Sequence, residues 1–210
     1  MNARFTFTLG TLGALASSSA FAEEGAELAT HATPAMRVSA QVEVLPFGSA
    51  KTSGGQVTPS STDTAVAYGI TGGFEYAVTR YLSVGAAPRL VLNVTPKDAS
   101  SMDKAEKELD LRAVVRGHYP ISPGLEVFGA VMPGYSIVLS STDGVDSSKG
   151  FGIGGAIGAT YDLSPAVFLS GEVGYQRAFT STTVKVLSQS FNADLDVSYA
   201  HVALGAGTRF

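Results

Sequence analysis

His118 and Glu126 stand eight residues apart, and an imidazole beside a carboxylate is half of a nucleophilic triad. A second imidazole, His201, follows Ser198 by three residues, which would complete the set if the hydroxyl could reach it. In an extended chain an odd spacing puts the two on opposite faces, so Ser198 is turned away from His201. No motif supplies a positioned nucleophile, and the chain is read as non-enzymatic. The same histidines belong to a wider set of ionisable residues, Glu43, Arg89, Arg112, Arg116, His118, Glu126, Glu172 and His201. Acids and bases in it are close to balanced, and the chemistry this favours is mutual ion pairing in a confined polar space.

Two further patterns carry less. Gly150-Phe151-Gly152-Ile153-Gly154-Gly155 satisfies G-x-G-x-x-G, but a phosphate loop needs a helix after it, and here strand alternation runs on to Tyr161. Asp143, Asp146 and Asp162 lack the spacing of a calcium loop and read as solvated acids. No cofactor or metal is expected.

The elements that must position the charged residues are strands of period two. The sharpest, about Lys107 to Tyr119, sets Leu109, Leu111, Ala113, Val115 and Tyr119 against Glu108, Asp110, Arg112, Arg116 and His118. Seven others alternate in the same way: near 37–47, 64–77, 81–94, 125–139, 151–163 and 166–177, and the final stretch to Phe210. In each, one face is aliphatic or aromatic and almost free of charge. The other collects Arg37, Glu43, Glu75, Arg89, Glu126, Glu172, His201, Arg209 and many glycines. In the third strand Val94 is placed with the apolar row and Asn93 with the polar one.

Connections alternate in length. Val78 to Arg80, Pro120 to Gly124 and Asp162 to Pro165 are tight turns, whereas Gly48 to Asp63, Thr95 to Glu106, Ser140 to Gly150 and Ala178 to Asp196 are long and polar. The expected fold is therefore all-β, an eight-stranded antiparallel up-and-down transmembrane β-barrel of meander topology. Closure of the last strand on the first follows from backbone accounting, because an open sheet edge in lipid leaves N–H and C=O groups unpaired. Tyr76, Tyr81, Tyr119, Tyr161 and Phe210 gather beside the short turns, where an interfacial girdle belongs.

The first residues give an address. Arg4, an apolar run from Phe5 to Ala16 and Ala20-Phe21-Ala22 read as a cleaved export signal over residues 1–22. A short periplasmic segment, 23–34, then leads to a barrel at 35–210. Cleavage removes Arg4, leaving 13 basic against 18 acidic residues, a balance that excludes nucleic acid as a partner. With no cysteine there is no disulfide, thiol chemistry or lipidation at a processed N-terminal Cys.

The export signal, the eight alternating strands, the Gly-rich wall of Gly152 to Gly158 and the closing Gly205-Ala206-Gly207-Thr208-Arg209-Phe210 resemble the small outer-membrane β-barrel family of OmpA- and OmpX-like proteins. The resemblance covers essentially the whole mature chain and is one of pattern. It implies residence in the outer membrane of a Gram-negative cell, contact with outer-membrane lipid and lipopolysaccharide, and a monomer. It also implies recognition of the last strand by the barrel-assembly machinery through Phe210 and Gly205, with Thr208 departing from the usual apolar residue. Loop lysines Lys51, Lys97, Lys104, Lys107, Lys149 and Lys185 are candidates for lipopolysaccharide phosphates. An eight-stranded barrel is just wide enough for its own side chains to fill. The leading expectation is a structural or adhesion-type surface barrel with a filled polar lumen. The alternatives are a narrow porin-like pore or small apolar-ligand conduit, a lipid A-modifying enzyme, or a soluble secreted β-protein. Folding about the Pro120 to Gly124 turn is expected to set His118 opposite Glu126, with Glu43, Arg89, Arg112, Glu172 and His201 in a second cluster near mid-height.

Overall fold

The computed structural model describes residues 36–54, 58–97, 105–140, 146–186 and 189–210, with backbone alone at 184–186 and 189–190. The expected export signal and the segment 23–34 lie outside the described residues. Nine strands follow in order: β1 (Met36–Ser53), β2 (Ser60–Asp63), β3 (Ala67–Thr79), β4 (Leu82–Val94), β5 (Glu106–Ser122), β6 (Leu125–Leu139), β7 (Ser148–Asp162), β8 (Val167–Val186) and β9 (Gln189–Arg209). Every pairing is antiparallel; β1 pairs with β3 past the short β2, β3 to β9 each pair with the next strand in the chain, and β9 returns to pair with β1, Arg37 facing Arg209 and Val44 facing Val202. The wall thus has eight strands and no open edge. β2 is a short ninth strand beside the far half of β1, from Ser49↔Asp63 to Thr52↔Ser60.

Two of the connections expected to be loops are largely sheet. β1 runs on past Phe47 to Ser53, and the stretch from Ala178 to Asp196 forms a hairpin that continues β8 and β9. Thr180, Thr182 and Thr183 are β-branched, so this polar run suits strand, and its polarity reflects its position at the loop end of the barrel. The short turns close tightly, with Gly124 at φ 78° completing the one between β5 and β6.

Side chains alternate as the pattern requires. Val42, Leu111, Ile157, Leu204 and their row-mates are exposed on the outside, while Gln41, Glu43, Arg89, Arg112 and His201 are buried inside. One stretch reverses. Between Val91↔Glu108 and Val94↔Glu106 the β4–β5 register slips, and Asn93 takes φ 62°. Asparagine tolerates this left-handed geometry, and its side-chain amide donates to Val66 O at 3.0 Å. The slip sends Val94 inward and Asn93 outward, the opposite of the simple alternation. A second bulge, at Pro46 in β1, points Phe47 outward.

The inside has an apolar upper end, at the long-connection side, where Leu45, Ala67, Val91, Val94, Val197 and Tyr199 pack together. Bulky lumen groups lean on bare backbone: a Cβ at Gly158 would collide with the Phe128 ring, and one at Gly174 with the His201 imidazole. On the outside, Tyr135, Phe151 and Phe179 form a cross-strand row over β6, β7 and β8. From Phe151 down to Tyr161, in the row beside the short turns, is ten residues of one strand. At a tilt of roughly 40° that is about 25 Å, the height of a barrel's apolar band.

Candidate functional site, an ion-paired lumen

Charged side chains cross the lumen in three tiers, built from strands far apart in sequence. In the upper tier Arg89 pairs with Glu43 at 2.9 Å and with Asp110 at 3.2 Å. Arg112 reaches Glu43 at 3.7 Å, Thr71 Oγ1 at 3.0 Å and the carbonyl of Ala87 at 3.2 Å. Gln176 sits between the two guanidiniums, its amide oxygen accepting from Arg89 at 2.5 Å and Arg112 at 3.2 Å, while its nitrogen donates to Asp110 at 2.9 Å. Thr71 donates to Glu43, and Ser136 to Asp110 at 2.5 Å. Six strands are tied together here, and the Arg89 and Asp110 side chains are 0% exposed.

The middle tier centres on Arg116, which stacks over Phe128 at 4.1 Å and pairs with Glu75 at 3.2 Å and Glu172 at 3.7 Å. His201 Nε2 lies 3.6 Å from Glu172, and Gln41 donates to Ser170 at 3.3 Å. In the lowest tier Glu126 receives Arg37 at 2.9 Å and meets His118 Nδ1 at 2.7 Å. His118 Nε2 is 2.8 Å from Ser83 Oγ, which also lies 2.6 Å from Glu75. Arg209 closes the bottom against Asp162 at 2.7 Å.

The eight predicted lumen residues all face inward, but their grouping differs from the expected one. Glu43, Arg89 and Arg112 share a tier, whereas Glu172 and His201 belong one tier lower with Arg116. His118 meets Glu126 on a diagonal: in the β5–β6 register Glu126 faces Pro120, and His118 faces Phe128. Sequence reasoning missed Gln176, Thr71 and Ser83 as partners. All three fall on polar rows of their strands, and Ser83 is two residues of register from His118 because it faces Arg116. Glu108 is fully buried near the apolar upper end, and neither of its carboxylate oxygens has a hydrogen-bond partner among the described residues.

Ser83, His118 and Glu126 therefore line up as hydroxyl, imidazole and carboxylate, although Ser198 instead bonds Ser49 at 3.0 Å. The nucleophile position is unsuited to attack. Ser83 is 1% exposed, and its single proton is contested by Glu75 and His118.

At the closing seam, a Cβ at Gly205 would overlap Gln41 Cγ and come 2.5 Å from the carbonyl of Ala40. Glycine lets β9 approach β1 here, and Phe210 exchanges backbone hydrogen bonds with Met36 at 2.9 and 3.1 Å. Of the six loop lysines, Lys51, Lys107 and Lys149 are exposed on strands, Lys97 lies in a turn and Lys185 is in β8 with its backbone alone described, while Lys104 is outside the described residues.

A closed eight-stranded wall with an aliphatic exterior, two aromatic rows and an ion-paired interior defines a transmembrane β-barrel. Residues 8–210 match the family model described as outer membrane protein beta-barrel domain. The chain belongs to that family and resides in the bacterial outer membrane. Among solved structures it is similar to the outer membrane protein OprG from Pseudomonas aeruginosa, at 16% identity over 86% of this chain and 97% of that one, TM-score 0.57. It is also similar to the outer membrane protein AlkL in lipid bilayers, at 18% identity over 90% of this chain and 96% of that one, TM-score 0.59. These likenesses are of fold. No curated protein matches the sequence.

Proposed function

We propose that this chain is a non-enzymatic surface barrel whose lumen is closed by its own side chains, with structural and surface-interaction roles carried by the loop end. One observation carries the reading: the Glu43–Arg89–Asp110 chain, locked by Arg112 and Gln176, crosses the lumen with Arg89 only 1% exposed. Breaking such a buried pair costs more than it saves, so the lattice acts as a plug and as the specifier of strand register. The burial of Ser83 supports the absence of hydrolytic chemistry. Single-channel recording tests the reading. The wild type should show no steady conductance, and a stable ohmic channel would overturn it.

A second reading, an apolar-ligand conduit, is favoured by the β3–β4 seam. The ladder there keeps its register from Thr71↔Arg89 to Phe74↔Ala86 but is interrupted between them, Gly72 and Gly73 making no bridge to Pro88 and Ala87, and Pro88 has no N–H to give. With an apolar cluster at the upper end, this gap offers a side exit. Uptake of a labelled hydrocarbon into proteoliposomes, compared with empty liposomes, separates the two readings.

A further inference from the structure

At the short-turn end of the lumen, four side chains from four strands touch in series. Glu126 Oε1 lies 2.7 Å from His118 Nδ1, His118 Nε2 lies 2.8 Å from Ser83 Oγ, and Ser83 Oγ lies 2.6 Å from Glu75 Oε2. At such separations each contact needs a hydrogen between its heavy atoms, because two bare lone pairs this close repel. Three contacts require three hydrogens. A neutral imidazole brings one and the Ser83 hydroxyl brings one, while ionised carboxylates bring none. Arg37 does not make up the difference. Its Nη1 donates to Glu126 at 2.9 Å and stands 3.3 Å from His118 Nδ1, whose own hydrogen points at the same carboxylate.

Charge gives the same answer. Around this series β1 supplies Arg37, β3 Glu75, β5 Arg116, β6 Glu126 and β8 Glu172, with Arg116 bridging Glu75 at 3.2 Å and Glu172 at 3.7 Å. β4 offers only the Ser83 hydroxyl. Asp162 of β7 and Arg209 of β9 neutralise each other at 2.7 Å, and His201 of β9 stands on the far side of Glu172 at 3.6 Å. Arg89 and Arg112 are committed one tier up, to Glu43 and Asp110. Two guanidiniums thus meet three carboxylates. Glu75, Ser83 and His118 are all buried, where an unmatched charge is costly. One additional proton, on His118 Nε2 or on Glu75, completes the third contact and restores the charge balance together.

We infer that the lower lumen binds one proton, drawn from the water that reaches the partly exposed Glu126 and Arg37 at the short-turn mouth, and that this proton latches β3, β4, β5 and β6 together. Once it leaves, Ser83 has one hydrogen for two acceptors, and either Glu75 or His118 must withdraw. Glu75 also holds Arg116, so its withdrawal loosens the tie between the lower and middle tiers. The sign follows from proton linkage: where an unfolded histidine is already neutral, the folded chain carries the extra proton, so stability is lost as the pH rises. The latch stands whether or not the lumen conducts.

The test is urea unfolding of the full chain in detergent micelles, from about pH 6 to about pH 9. The wild type should lose about tenfold in its folding constant per pH unit wherever the native chain alone keeps the proton. Glu75→Gln supplies the third hydrogen permanently from its amide and removes the surplus carboxylate, so its stability should stay level over the same range. His201→Gln lies outside the series and should keep the wild-type slope. A direct count decides if a variant does not fold: wild type unfolded at about pH 7.5 in weak buffer should release about one proton per chain to an indicator dye. A level wild-type profile, a Glu75→Gln profile as steep as the wild type, loss of the slope in His201→Gln, or no proton released would overturn the proposal.

Discussion

His118 Nε2 lies 2.8 Å from Ser83 Oγ while its Nδ1 lies 2.7 Å from Glu126, so one imidazole joins β4 to β6 across β5. The arrangement has the outline of a catalytic triad and the surroundings of a strut. Ser83 is enclosed, and Glu75 competes for its proton. A fluorophosphonate probe is accordingly expected to leave Ser83 unlabelled in the folded barrel. Ser83→Ala should lower unfolding stability by about 1–3 kcal/mol, because it strips partners from two buried groups. Labelling that depends on His118 would return the site to the enzymes.

Arg89 is the hinge of the upper tier. Arg89→Ala strands Glu43 and Asp110 in a buried space and should cost about 3–5 kcal/mol, measured by urea unfolding in detergent micelles. Replacing the cluster together, with Arg89→Met, Arg112→Met, Glu43→Gln and Asp110→Asn, should cost distinctly less. Equal losses in the single and quadruple variants would mean that the charges act independently.

Arg112→Ala removes the link from Gln176 and Glu43 to Thr71 and the Ala87 carbonyl. Its expected signature is a lower melting temperature together with brief conductance steps that the wild type lacks. A variant with an unchanged melting curve and a silent bilayer would remove Arg112 from the plug.

Gly205 and Phe210 should fail differently. Gly205→Ala places a methyl group against Gln41 and the β1 backbone, so refolding of purified protein into detergent should slow or stop. Phe210→Ala leaves the pairing with Met36 intact, so purified protein should refold normally while assembly in cells falls. Loss of refolding in both variants would show that Phe210 acts through stability alone.

The β8–β9 hairpin is paired throughout, up to Val186↔Gln189. Amide hydrogen exchange should therefore find protection continuing above the Phe179 level, at residues 181–183 and 191–195, in contrast to an unstructured loop. Exchange there as fast as in free peptide would contradict the pairing.

Much of the wall was legible in sequence because the solvent outside is hydrocarbon. Lipid demands an apolar residue at every second position, and strand 107–119 carries that demand from Leu109 through Leu111 and Ala113 to Val115. Legibility failed where the demand lapses. Thr180, Thr182 and Thr183 stand at or beyond the upper aromatic row, where either polarity is tolerated, so a strand there resembles a loop. Alternation also assumes a regular step, and the slip at Asn93 depends on a positive φ that no hydrophobic pattern reports. Within the lumen the facing of Glu43, Arg89, Arg112, Arg116, His118, Glu126, Glu172 and His201 could be read strand by strand. Their partners could not, because the tier a residue joins depends on the stagger between strands several places apart. Arg116 reaching Glu172 requires β5 and β8 to be at the same height, and only the closed barrel sets that.

The joining of β9 to β1 makes the first strand of the wall wait for the last. Until Arg209 emerges, the backbone of Met36 to Ser53 lacks the partner it will have on one side, and a bare strand edge invites pairing with whatever chain is near. Contacts of such long sequence separation form late and slowly. Synthesis and insertion are therefore separate events for this molecule: something must keep the nascent sheet single until β9 is available, and a product that lacks β9 would be left with an unhealed seam.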